Sequence, residues 1–88
     1  MAKGKNQKLK LLYLMKIMLE KTDSTHSLTM SEILEALHEY DVEAERKSIY
    51  DDLEALRMFG LDIIKKKEQK NYSYYVANRM VDVIDFKN

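Results

Sequence analysis

Arg46-Lys47-Ser48 places two cations and a hydroxyl at the head of an amphipathic run. A guanidinium can pair with a guanine edge, and all three groups can hold a phosphate oxygen. Tyr50 and Asp51 follow on the same run, and Lys65, Lys66, Lys67 and Lys70 form a second cluster suited to phosphate or minor-groove contact. In an alternating strand about half of those lysines would point each way. Together these residues are the candidate site. The competing account is a set of solvated charges, with Arg46 and Lys47 bridging to Glu43 or Asp51. Asp51 and Asp52 point about 100° apart on a helix and share neither a metal nor a proton easily. They suit caps, or partners for Arg46 and Lys47. Tyr50 lies beside the apolar stripe, either half-buried with its hydroxyl outward or packed in the core.

Other chemistries find little support. There is no cysteine, and His26 and His38 stand isolated, so no metal triad is expected. No nucleophile–base pair, glycine loop or carboxylate dyad is evident, so neither catalysis nor a cofactor is expected. Tyr72, Tyr74 and Tyr75 interleave with basic residues as a stacking platform for single strands would, yet their period of two fits strand packing better.

The chain has 88 residues, 45% hydrophobic and 34% charged. That is enough for one modest core, too apolar for a disordered tail and too charged for a membrane protein. The longest apolar stretch, Leu11 to Leu19, is broken by Lys16 and is shorter than the roughly 20 residues of a membrane span. Its lysine-rich lead-in is not followed by a signal-peptide cleavage site. Lack of cysteine leaves the redox compartment open, and a cytoplasmic location is the expectation. Net charge is zero, but residues 1–22 hold six lysines and one glutamate, residues 23–45 hold seven acids and no Lys or Arg, and residues 61–70 hold four lysines and two acids. Blocks of opposite sign polarise a small surface, and a local positive face can bind phosphate although the total cancels.

The elements that position these residues follow from periodicity. A first helix is expected from about Asn6 to Lys21, with Leu11, Leu12, Leu14, Met15, Met18 and Leu19 on a broad apolar face and Leu9 and Ile17 outside it. His26 to Thr29 suits a short extended piece. Thr29-Met30-Ser31-Glu32 fits a capping box, starting a second helix near Met30 that ends about Glu39-Tyr40. Ile49, Leu53 and Leu56 form the buried stripe of a third helix, which Gly60 ends in a left-handed cap. Two β-prone runs, Leu61 to Lys67 and Tyr72 to Val76, flank a polar turn in which Asn71 can take positive φ. Met80 to Phe86 suits either a strand or a short helix. The fold class expected is α+β, a winged helix-turn-helix of three helices and a two-stranded hairpin wing, with residues 1–79 as the domain and 80–88 as a packing or dimer tail.

With that order in place, Arg46-Lys47-Ser48-Ile49-Tyr50, the Asp52-Leu53-Glu54 triplet, Leu56 and Gly60-Leu61-Asp62-Ile63 resemble the N-terminal winged-helix domain of WYL-domain transcriptional regulators. The hairpin ending Asn71-Tyr72-Ser73-Tyr74-Tyr75-Val76 is similar to that family's wing, and the likeness covers about residues 7–79. Asp51 stands where members often carry a cation, and Asn71 where glycine is common. The residues given stop at Asn88 and do not include a ligand-sensing WYL domain. The resemblance implies a bacterial module that binds duplex DNA sequence-specifically, with no small-molecule ligand evident. The alternative is a winged-helix module that binds protein through the first helix or the tail. A homodimer through those same segments is expected, set against a tail that folds back over helix 1.

Overall fold

A computed structural model of the chain describes residues 6–77. A short 3-10 turn, Gln7–Leu9, leads into α1 (Lys10–Lys21), followed by β1 (Leu28–Thr29), α2 (Met30–Glu39), α3 (Arg46–Phe59), β2 (Ile63–Glu68) and β3 (Asn71–Val76). The three helices and the antiparallel hairpin have a winged-helix-like topology. β1 adds a third strand, giving the order β1-β3-β2, with Leu28 opposite Tyr74 and Thr29 opposite Ser73. The tail expected at 80–88 lies outside the described residues.

α2 starts where the sequence places it. Thr29 Oγ accepts from the Glu32 N–H at 3.2 Å and Glu32 Oε1 accepts from the Thr29 N–H at 2.8 Å, the reciprocal capping box. α2 and α3 end in the same way. Val42 N–H reaches back to the Leu37 carbonyl (3.0 Å) and Asp41 N–H to that of His38 (2.9 Å); Leu61 N–H reaches Leu56 (3.0 Å) and Gly60 N–H reaches Arg57 (3.2 Å). This Schellman pattern needs a positive φ, which Gly60 takes at 139° and Asp41 at 66°. Aspartate tolerates the left-handed region better than most side chains do.

The core joins Leu14, Ile17 and Met18 of α1 to Ile33 and Leu37 of α2, the Ile49, Leu53 and Leu56 stripe of α3, and Ile63, Tyr74 and Val76 of the sheet. One expectation is overturned here: Ile17 is fully buried, whereas Leu11 and Leu12 are exposed. α1 packs against α2, α3 and β3. Its buried face is therefore centred on the i, i+3, i+4 set Leu14, Ile17 and Met18 rather than on the side bearing Leu12 and Met15.

The hairpin turn is tighter than expected. Asn71 pairs with Glu68 inside the ladder, and the positive φ falls on Gln69 at 55°. Asn71 is thus a strand residue, because the connection shrinks to Gln69-Lys70. Arg57 anchors β2 to the end of α3 by donating from Nε and Nη2 to the Ile63 carbonyl at 3.1 and 3.0 Å. Thr22 joins α1 to β3: its buried hydroxyl donates to the Met18 carbonyl at 2.6 Å and accepts from Val76 N–H at 3.0 Å.

Ser73, also buried, has a hydroxyl with no hydrogen-bond partner among the described residues. An unsatisfied buried hydroxyl costs about 1–3 kcal/mol, and so does stripping a partner from a satisfied one. Urea unfolding of Ser73→Ala should accordingly give unchanged or raised stability, while Thr22→Val should lose about 1–3 kcal/mol; a large loss in Ser73→Ala would show that its hydroxyl is engaged.

Candidate nucleic-acid interface

Of the sequence candidates, Arg46, Tyr50 and Lys70 line one cleft, whereas Lys47, Ser48, Asp51, Lys65, Lys66 and Lys67 do not. α3 begins with Arg46, whose Nη2 donates to Ser31 Oγ at 3.0 Å, so the guanidinium bridges to the first turn of α2. It does not pair with Glu43 or Asp51: Glu43 instead meets His38 Nδ1 at 2.6 Å, and no ion pair of Asp51 is found among the described residues. Lys47 is exposed, likewise with no carboxylate partner among them. Ser48 is engaged within the first turn of α3, its hydroxyl donating to the Glu45 carbonyl at 2.9 Å, and does not cap the helix. Asp52 pairs with neither Arg46 nor Lys47 but with Lys10, a partly buried ion pair that ties α1 to α3. The histidines are not isolated either. His26 Nδ1 lies 3.0 Å from Asp23 Oδ1, and both histidines serve local turns. No group of potential metal ligands occurs among the described residues.

Strand register sorts the wing. Ile63 opposite Val76, Lys65 opposite Tyr74 and Lys67 opposite Tyr72 share one face, which turns toward α3 through Tyr74. Lys66 lies on the other face and pairs with Glu68 at 3.1 Å. On the α3 side, Lys65 Nζ sits 4.2 Å and Lys67 Nζ 5.9 Å from the centre of the Tyr72 ring. Such a contact holds an ammonium by the ring quadrupole without neutralising it. Lys70 sits in the turn.

Tyr50 is 48% exposed and packs edge-on against Tyr74, with ring centres 6.5 Å apart. Tyr50, Tyr72 and Tyr74 therefore form an aromatic floor linking α3 to the wing, while Tyr75 projects from the opposite face with Ile64. Above that floor is an open cleft of about 200 Å³, bounded by Thr29, Met30 and Ser31 of the β1–α2 corner, by Arg46, and by Lys70 and Asn71 of the wing. No Asp or Glu lines it. Sequence reasoning missed Ser31 and the β1–α2 corner, whose only local signal is the capping box. Comparisons with protein-family models, curated proteins and solved structures found no match to this chain.

Burial raises the Tyr74 phenol to about 12, with further contributions from Tyr50 and Tyr72, opposed by the nearby Arg46 cation. Tyr74 thus stays a neutral donor beneath the cleft. A phenol whose folded-state pKa is raised favours the folded state below the ordinary value of 10, and that preference is lost as pH rises from 10 toward 12. Denaturant titrations across that window should show a stability loss in the native chain that is smaller in Tyr74→Phe; identical profiles would mean that Tyr74 ionises as freely as an exposed tyrosine.

Proposed function

We propose that this chain binds duplex DNA, with α3 as the recognition helix and the β2–β3 hairpin as the wing. The observation that carries the reading is the sorting of charge. Arg46, Lys47, Lys65, Lys67 and Lys70, at the start of α3 and on the wing, have no carboxylate partner among the described residues. Lys10, Lys16, Arg57 and Lys66 are paired with Asp52, Glu20, Glu54 and Glu68, and of the other described cations only Lys8 and Lys21, on the 3-10 turn and at the end of α1, are unpaired away from those two elements. An uncompensated positive face releases counterions from a phosphate backbone even when the net charge of the chain is zero.

A helix-turn-helix presents the N-terminal residues of its second helix to the major groove. Lys47 and Asp51 occupy the exposed side of that end, opposite the Ile49, Leu53 and Leu56 stripe. They are the side chains placed to meet base edges or adjacent phosphates. Asp51 accepts rather than donates, which suits the exocyclic amine of cytosine and disfavours a phosphate. The resemblance to the DNA-binding module of WYL-type regulators makes transcriptional regulation in a bacterial cytoplasm the corresponding biological role. Among the described residues, no helix is long and apolar enough to cross a membrane.

The competing reading is a protein-interaction module, and the observation behind it is apolar exposure. Met58 is 82% and Phe59 61% exposed at the end of α3, and Leu12 is exposed on α1. The homodimer proposed through α1 would use Leu11 and Leu12, and sedimentation equilibrium of Leu12→Glu tests it: a wild-type dimer unchanged by the substitution would rule out that surface.

For the DNA reading, log affinity for random duplex against log salt should be steep and linear. Replacing Lys65, Lys67 and Lys70 with glutamine should lower affinity for all sequences alike and flatten the slope, whereas Lys66→Gln should change little because Glu68 already neutralises it. Salt-insensitive binding, or a slope indifferent to the triple substitution, would remove the wing from the interface.

A further inference from the structure

The cleft between the β1–α2 corner, the start of α3 and the wing is populated by donors converging from three elements. Arg46 comes from α3, Ser31 from α2, and Lys70 and Tyr72 from the hairpin. We infer that this cleft seats one phosphate group, clamped between Arg46 and Lys70, and that Arg46 positions the backbone and does not read a base. The site rests on the cleft itself; the duplex as source of the phosphate rests on the function proposed above.

Three observations carry the assignment. First, the Arg46 guanidinium is turned across the surface onto Ser31 Oγ at 3.0 Å. One amino group of the fork is engaged there, whereas paired recognition of a guanine edge needs the fork to project into the groove. Second, Arg46 of α3 and Lys70 of the hairpin turn both line the cleft, with no carboxylate in the lining and none paired to either among the described residues. The acid at this corner, Glu32, is turned back onto the Thr29 N–H at 2.8 Å and does not line the cleft. Third, the volume of about 200 Å³ equals that of several waters, at about 30 Å³ each. That accommodates a phosphate group with part of its ester.

A tetrahedral anion satisfies donors arriving from several directions, while a base edge is read from one side. Tyr50 and Tyr72, which also line the cleft, carry phenolic hydroxyls able to donate. A phosphate held at this point would fix the register of α3 on the duplex without carrying sequence information.

The same chemistry can come from the duplex backbone or from a free phosphomonoester, and the test separates them. Inorganic phosphate, titrated by NMR at constant ionic strength, should give saturable shifts at Ser31 and Tyr72 that vanish in Arg46→Ala and weaken in Lys70→Gln. On duplex, Arg46→Ala should lower affinity about tenfold for selected and random sequences alike and reduce the salt slope by about one contact. Arg46→Lys should keep the slope, since an ammonium still neutralises phosphate. Circular dichroism of each variant checks folding. Phosphate shifts with an unchanged duplex slope would assign the site to a free phosphomonoester, and a reduced slope without those shifts would assign it to the backbone. Phosphate shifts in a chain with no duplex affinity would remove the DNA reading and leave the site standing. The inference is overturned if Arg46→Ala relaxes base preference at one position with the slope intact, or if both the phosphate response and the slope effect are absent.

Discussion

Two helix-ending turns hold the positive face of this domain in place. α2 closes over Asp41 and α3 over Gly60, each at positive φ, and in each case the next residue, Val42 or Leu61, is driven into the core. Burying one such side chain stabilises by roughly 1.5–3 kcal/mol. That is ample to offset a non-glycine residue in the left-handed region, where the cost is about 1–2 kcal/mol. Because Val42 pins the chain before α3 and Leu61 pins it after, the axis of α3 is constrained at both ends. The direction in which Arg46 and Lys47 leave the surface, and the angle at which β2 departs toward the wing, both follow from those two anchors.

Charge is organised by the same frame. The Asp52–Lys10 pair faces α1, Glu54 and Arg57 pair along α3 while Arg57 also holds the Ile63 carbonyl, and Lys66 is neutralised on the far side of the wing. The exposed pairs among them, Glu54–Arg57 and Lys66–Glu68, contribute little stability, at most about 1 kcal/mol each. The consequence of these pairs, with Lys16–Glu20, is spatial. By cancelling four cations away from the cleft they leave five of the seven unpaired ones among the described residues at the start of α3 and on the hairpin, the other two being Lys8 and Lys21, so that a chain of zero net charge gathers positive charge there.

The tyrosines connect these two themes. Tyr74 is paired with Leu28 across β1 and with Lys65 across β2, and its ring meets Tyr50 of α3. It therefore couples the sheet to the helix at the point where the wing leaves the core. Tyr72, two residues nearer the turn on the same face, has passed the edge of the core and carries Lys65 and Lys67 against its ring. One alternating strand thus serves as core at one end and as a support for cations at the other, a change set by where the body of the domain ends.

The sequence by itself determined the features that depend on neighbours a few positions apart. The capping box of Thr29 and Glu32, the Ile49, Leu53 and Leu56 stripe, the stop at Gly60 and the alternation of the wing are local, because helix and strand periods and end caps are set within one or two turns. Those signals were enough for the three helices, the hairpin and the clustering of cations on two of them. Tertiary structure decided what depends on distant partners. Ile17 is buried and Leu12 exposed because α1 packs against three elements at once. Asp52 belongs to Lys10, 42 residues away, and Arg46 to Ser31, 15 residues away, instead of to the acids beside them. Which lysines face α3, and the cleft that Ser31, Arg46 and Lys70 enclose, emerged only once the β2–β3 register and the packing of α2 against β1 were set. Hydrogen bonds and charge pairs between remote segments leave no periodic trace along a single chain.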